Sequence, residues 1–187
     1  MARNSRSASP LHILIVLAVA GAALFRFGGA YLQKPVVPGQ VEVFFSPSGG
    51  CTDEVVKELR HAQRSVLVQA YFLTSQQIAE ALIDAHRRGL EVKVIIDRKA
   101  LQEQPKEAEH LAHAGVPVWI DGQHPIAHNK VMILDGDTVI TGSFNFTRQA
   151  ETSNAENLVV MHKSLALGEE YSNNWRQHLG HSEPYHP

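Results

Sequence analysis

Residues 65–73 read Ser-Val-Leu-Val-Gln-Ala-Tyr-Phe-Leu, apolar at nearly every position rather than at every second one. Side chains alternate between the two faces of a strand, so such a run is stable only where both faces are covered. That demands a layered fold. The flanking segments supply the layers. Val41 to Phe45 is a β-branched and aromatic run closed by Ser46-Pro47-Ser48-Gly49-Gly50, and the spacing predicts a helix opened by Thr52-Asp53-Glu54 with a stripe at Val55, Val56, Leu59 and Ala62. Ser75 to Arg88 repeats the helical period through Ile78, Ala79, Leu82, Ile83 and His86, with a stop at Gly89. Glu91–Asp97 and Val116–Asp121 read as strands around a helix at Lys106–Ala114. This alternation predicts an α/β fold: a mixed, largely parallel sheet flanked by helices. Beyond it, Lys130–Leu134 and Thr138–Thr141 bracket Asp135-Gly136-Asp137 as a hairpin. Asn157–Met161 is a further strand, and Ser164–Leu179 a closing helix.

The first thirty residues have a different character. Arg3 and Arg6 precede an apolar run from Leu11 to Phe25, and Gly28-Gly29-Ala30 offers small residues for a signal peptidase. Residues 1–30 therefore read as a signal peptide, or as a signal anchor through residues 11–32, and either implies an exported protein, periplasmic or secreted. Residues 31–40, with Pro35, Pro38 and Gly39, read as a linker, 41–180 as the folded domain, and 181–187 as a loose polar tail. The formal charge is −2 over 187 residues. Setting aside Arg3, Arg6 and Arg26 leaves 14 basic against 19 acidic residues, a balance of −5. A broadly basic, DNA-coating protein is excluded, and any polyanion site must be locally positive.

The hairpin gathers the reactive side chains: His128, Asn129 and Lys130 before its turn, Gly142, Ser143, Phe144 and Asn145 after it. A turn at Asp135-Gly136 sets His128 opposite Ser143; one at Gly136-Asp137 sets His128 opposite Asn145 and Lys130 opposite Ser143. Both registers put His128, Lys130, Ser143 and Asn145 on one face, with Phe144 and Phe146 turned into the core. An imidazole that attacks or protonates, beside ammonium, hydroxyl and carboxamide donors for phosphate oxygens, suits phosphoryl chemistry. Asp135 has the opposite parity or lies in the turn, outside that face.

The full spacing, His-x-Lys, four residues, Asp, six residues, Gly-Ser-x-Asn, arises by chance at roughly one in tens of millions of positions. Here the sequence resembles the phospholipase D superfamily, and within it the small secreted bacterial endonucleases. The resemblance extends to Phe45-Ser46-Pro47, Pro125-Ile126, Gly142–Thr147, Ala150-Glu151-Thr152 and Asn154–Asn157. It implies that His128 is nucleophile or general acid, that Lys130, Ser143 and Asn145 hold the phosphate, and that Glu156 orients and charges the histidine. Asp135 and Gly142 are implied to be structural. Asn129 stands where the nearest relatives tend to carry Asp.

Phosphodiester cleavage through a phosphohistidine needs a neutral imidazole to attack and an imidazolium to protonate the leaving oxygen. The superfamily that the sequence resembles supplies these from two motifs in one long chain or from a homodimer of short members. This chain carries one motif, so the resemblance implies a homodimer with both His128 side chains at a two-fold axis. No metal or other cofactor is expected, because lysines and imidazolium supply the positive charge. Among the eleven histidines, the pairs His110/His113 and His124/His128 each lack a completed ligand set. His124 reads as a solvated loop residue, Arg148 as a surface charge or a phosphate contact, and Cys51, with no second cysteine, as a small structural residue. The expected activity is nucleic-acid phosphodiester hydrolysis. The alternatives are a phospholipase D acting on lipid head groups, against which no membrane-docking segment is evident after residue 34, and a non-catalytic binding module that has kept the motif.

Overall fold

The computed structural model describes residues 40–187; the signal segment and nearly all of the linker lie outside these. Eight strands, β1 (Val41–Ser46), β2 (Ser65–Ala70), β3 (Glu91–Asp97), β4 (Val118–Asp121), β5 (Lys130–Leu134), β6 (Thr138–Gly142), β7 (Glu156–Met161) and β8 (Glu183–Pro184), form one sheet. Their order is β1-β7-β6-β5-β2-β3-β4-β8. The helices are α1 (Cys51–His61), α2 (Gln76–Arg87), α3 (Arg98–Glu103), α4 (Lys106–His113), α5 (Arg148–Thr152) and α6 (Leu165–Leu179). Among the described residues no helix is long and apolar enough to cross a membrane.

The expected mixed α/β sheet is present, but its parallel share is smaller than the alternation suggested. Only β2/β3 and β3/β4 run parallel; β1/β7, β2/β5, β5/β6, β6/β7 and β4/β8 are antiparallel. The reason is β1, which crosses to the far edge and pairs with β7 instead of continuing the parallel series. One side of the sheet packs Val66, Val68, Val94, Met132, Ile140 and Val160 against α1, α2 and α4, through Val55, Leu59, Ile78, Leu82 and Leu111. The other side packs Ile95, Val131, Ile133 and Val139 against Trp175 of α6, whose indole donates to the Val68 carbonyl at 2.9 Å. α6 comes close enough to the hairpin that a side chain at Gly168 would strike the Gly136 carbonyl oxygen, 2.0 Å from a built Cβ.

Two local expectations are corrected. The tail 181–187 is docked: Glu183 and Pro184 extend the sheet beside Ile120 and Trp119, and the Tyr185 amide donates to Val118 at 2.9 Å. An unpaired β4 edge offers backbone groups that need partners, and Pro184, lacking an N–H, suits the outermost strand. The α1 helix begins one residue earlier than its Thr52 signal, and its start is capped from a distance. The Glu151 carboxylate accepts from Gly50 N at 3.1 Å and Thr52 N at 2.7 Å. A carboxylate there satisfies free amides and opposes the helix dipole.

Candidate active site

The polar residues of the motif collect at one end of the sheet. Lys130 opens β5, Gly142 ends β6, Glu156 opens β7 and Tyr71 follows β2, and the strand directions put all four termini at the same end. The hairpin does not present them as expected. Its register is Val131 with Thr141 and Leu134 with Thr138, which leaves a three-residue turn, Asp135 to Asp137, in place of either two-residue turn. Asp135 and Gly136 both take positive φ there, 54° and 74°. Continued strictly, that register would put Lys130 opposite Gly142 and turn Ser143 and Asn145 to the other face. The strand stops instead. Gly142 has φ 148°, and a Cβ there would lie 2.2 Å from the Asn157 carbonyl oxygen, so only glycine lets the chain leave the sheet at this point. The site is thus built from loops at strand ends, not from one face of a ribbon.

His128 is exposed, and its ring meets Tyr71 edge-on with centroids 4.7 Å apart. Its approach is fixed from both sides. Buried Asp97 accepts from Ala127 N at 2.7 Å while capping α3, and the Asn129 carbonyl accepts from Tyr71 N at 2.8 Å. Lys130 is 6% exposed; its ammonium donates to the His128 carbonyl at 2.9 Å and lies 5.3 Å from the centre of the Tyr71 ring. Burial pulls its pKa down to about 8, with the negative charge of Glu156 opposing part of that fall. A cation held this way lacks a full counterion, a state suited to receiving an anion.

Ser143 Oγ accepts from the backbone N of Asn157 at 3.1 Å and from its Nδ2 at 3.2 Å. A hydroxyl has two acceptor positions and one proton. With both acceptor positions occupied, Ser143 can only donate outward, the polarity a phosphate oxygen requires. The Asn145 Oδ1 is buried without a hydrogen-bond partner. Phe144 and Phe146, between and beyond these residues, are fully buried as expected. Glu156 is held by Asn154, whose Nδ2 donates at 3.1 Å, and makes no hydrogen bond to His128 among the described residues. Its negative charge acts on Lys130 and on Cys51.

Asp135 lies at the other end of β5, about 17 Å of strand away. Its carboxylate accepts from the amides of Gln63 (2.9 Å), Arg64 (2.7 Å) and Ser65 (3.1 Å). Burial alone would raise its pKa; these amides and the Arg64 charge outweigh it and lower the value. Cys51 is buried, and desolvation together with the charges of Glu151 and Glu156 pushes its thiol up to about 11, far from a thiolate nucleophile. Arg148 is exposed at the start of α5.

The histidine pairs weighed from sequence do not form ligand sets. His110 is bonded to Glu80 at 2.9 Å and His113 to the Glu109 carbonyl at 2.7 Å. His124 does not join His128; it gathers with Asp121, His178 and His181. Sequence reasoning also passed over Tyr71, Asn154 and Asn157. Tyr71 sat inside an apolar run, and the two asparagines stood out only as part of the resemblance.

Comparison with known proteins places this arrangement. Residues 55–179 match the family described as "Cardiolipin synthase, PLD-like domain". A Rickettsia typhi protein named phospholipase D is 42% identical over 135 residues, 72% of this chain and 66% of that protein, so the match spans just under two thirds of the relative's length. A Xenopus laevis mitochondrial cardiolipin hydrolase is 30% identical over 157 residues, 77% of this chain and 75% of the relative. Among solved structures, the phospholipase D family member Nuc from Salmonella typhimurium superposes with a TM-score of 0.77 at 35% identity, covering 79% of this chain and 99% of Nuc. NucT from Helicobacter pylori shares the fold, with a TM-score of 0.69 at 19% identity. On this similarity the chain belongs to the phospholipase D superfamily, alongside phosphodiester hydrolases named phospholipase D and cardiolipin hydrolase.

Proposed function

We propose that this protein is a metal-independent phosphodiesterase that hydrolyses nucleic-acid phosphodiester bonds through a phosphohistidine on His128. The carrying observation is the exposed imidazole of His128 seated on Tyr71 beside the buried, under-neutralised Lys130. In the first step a neutral His128 nitrogen attacks phosphorus, the P–O bond to the leaving group breaks, and an imidazolium gives that oxygen its proton. In the second, water attacks phosphorus, passes a proton to the now neutral imidazole, and the P–N bond breaks to release a phosphomonoester. Lys130, Ser143 and Asn145 hold the non-bridging oxygens as their charge grows. The second imidazole belongs to a second copy of the chain, giving a homodimer with a shared site, and the N-terminal segment delivers the enzyme outside the cytoplasm. Nucleic acid is favoured by similarity that covers nearly all of Nuc.

A phospholipid substrate is the second reading. The Rickettsia relatives carry the name phospholipase D, and exposed apolar side chains on β1 support this reading. As the sheet's edge strand, β1 leaves Val41, Val43 and Phe45 between 50% and 64% exposed. The full chain is to be assayed on plasmid DNA, RNA and phosphatidylcholine vesicles in EDTA. Cleavage of nucleic acid with vesicles intact is expected; hydrolysis of the lipid alone reverses the assignment, and loss of activity restored by magnesium overturns metal independence.

Sharing of the site has its own test. Wild-type and His128→Asn subunits are mixed equally and allowed to reassort, with exchange followed by a tag. About a quarter of the activity is expected to remain, because only wild-type pairs hold both imidazoles. Retention of about half means that each subunit works alone.

A further inference from the structure

At the end of β4 the Asp121 carboxylate, fully buried, is surrounded by three imidazoles. Its Oδ2 lies 2.7 Å from His178 Nδ1 and 3.3 Å from His181 Nε2; its Oδ1 lies 3.4 Å from His124 Nδ1. The three rings face one another with centroids 5.1–5.2 Å apart, and all four ligand atoms lie within 4.8 Å of each other. The residues form two i, i+3 pairs: Asp121 and His124 from β4 and the loop after it, His178 and His181 from the end of α6 and the turn beyond. One imidazole is enough to pair a buried carboxylate; three nitrogens converging on it make an N3O set. A tetrahedral zinc-class ion with bonds of about 2.0–2.1 Å has ligand atoms about 3.4 Å apart, a value bracketed by the 2.7–3.4 Å contacts to Asp121 and the 4.8 Å limit of the whole set. His124, the most exposed of the four, leaves a way in.

We infer that Asp121, His124, His178 and His181 bind one divalent transition ion of the zinc class. Four protein ligands leave no open position, so the ion serves structure and not the hydrolytic step. It joins β4, the C-terminal end of α6 with the docked tail, and the loop 122–127 that runs directly into His128. The other cluster of suitable residues among those described, Glu42, Glu54 and His162, is a poorer case, since the Lys57 ammonium already occupies Glu54 at 2.9 Å.

The test uses the untagged full chain, stripped of metal and titrated with Co2+ and then Zn2+. One Co2+ per chain with the visible absorption of a tetrahedral site, displaced by Zn2+, is expected, together with a rise in Tm on Zn2+ addition. His124→Ala changes a partly exposed loop residue and should keep the fold. It is expected to weaken Zn2+ binding beyond the about ten- to hundred-fold loss typical of an outer-sphere partner. His178→Ala should abolish both the absorption and the Tm response, and His162→Ala should leave both unchanged. Absence of tetrahedral Co2+, or Zn2+ binding that is equal in wild type and His124→Ala, overturns the inference and identifies the cluster as a hydrogen-bonded support for Asp121. Because the readouts are spectra and Tm, the result stands apart from the substrate assays.

Discussion

Replacing His128 with asparagine is expected to lower turnover on the order of ten-thousand-fold or more, the scale on which losing a nucleophile acts, with the fold unchanged. The imidazole is exposed and its own ring makes no hydrogen bond among the described residues, so its removal leaves no buried group unpaired. The check is kcat against the Tm of the same preparation. Asp135→Asn should behave in the opposite way. Its carboxylate bonds three consecutive amides at the start of β2, and weakening them should lower Tm while kcat changes little. If Asp135→Asn keeps the wild-type Tm yet is as inactive as His128→Asn, the roles assigned to the two residues are wrong.

Lys130→Met is expected to reduce kcat/KM by about a hundred- to a thousand-fold, as loss of a charged transition-state donor does, while stability at neutral pH is equal to wild type or higher. The buried ammonium has its pKa depressed to about 8 from 10.5, so between those values the unfolded chain binds more protons than the folded one. Wild-type stability should therefore rise as pH climbs from about 8 to 10.5, and below about 8 the fold carries the whole cost of a desolvated cation. Methionine removes that cost and, with it, the function. The same depressed pKa should place a descending limb of wild-type kcat/KM near pH 8. A limb found above pH 10, or a Lys130→Met variant that unfolds at markedly lower temperature, contradicts the reading of Lys130 as a strained phosphate ligand.

How far the sequence reveals the molecule depends on the range of the interaction concerned. The run 65–73 showed two-sided burial because alternation and hydrophobicity are local properties, and Phe144 and Phe146 showed their inward direction for the same reason. The motif spacing identified the polar residues at the start of β5 and the end of β6. It did not give their arrangement, since Gly142 ends the strand through a close approach to Asn157, a residue beyond the motif. Nor could it pair β1 with β7, cap α1 from Glu151, or bring His178 and His181 to Asp121, because each of these rests on contacts across more than fifty residues. Tyr71 illustrates the remaining gap: an aromatic at the end of an apolar strand looks like core until the strand's end proves to be the floor of a site.

The pairing of the first strand with the seventh has a consequence for the order in which the molecule can form. Among the described residues Val41–Ser46 has β7 as its one neighbour in the sheet, so its backbone amides and carbonyls wait for residues 156–161. The cap on α1 waits likewise for Glu151. Closing loops of a hundred residues is slow, and the strand pairing at that edge is delayed until the last fifth of the chain has emerged. A polypeptide that leaves the ribosome amino end first therefore keeps this edge of the sheet open for most of its synthesis.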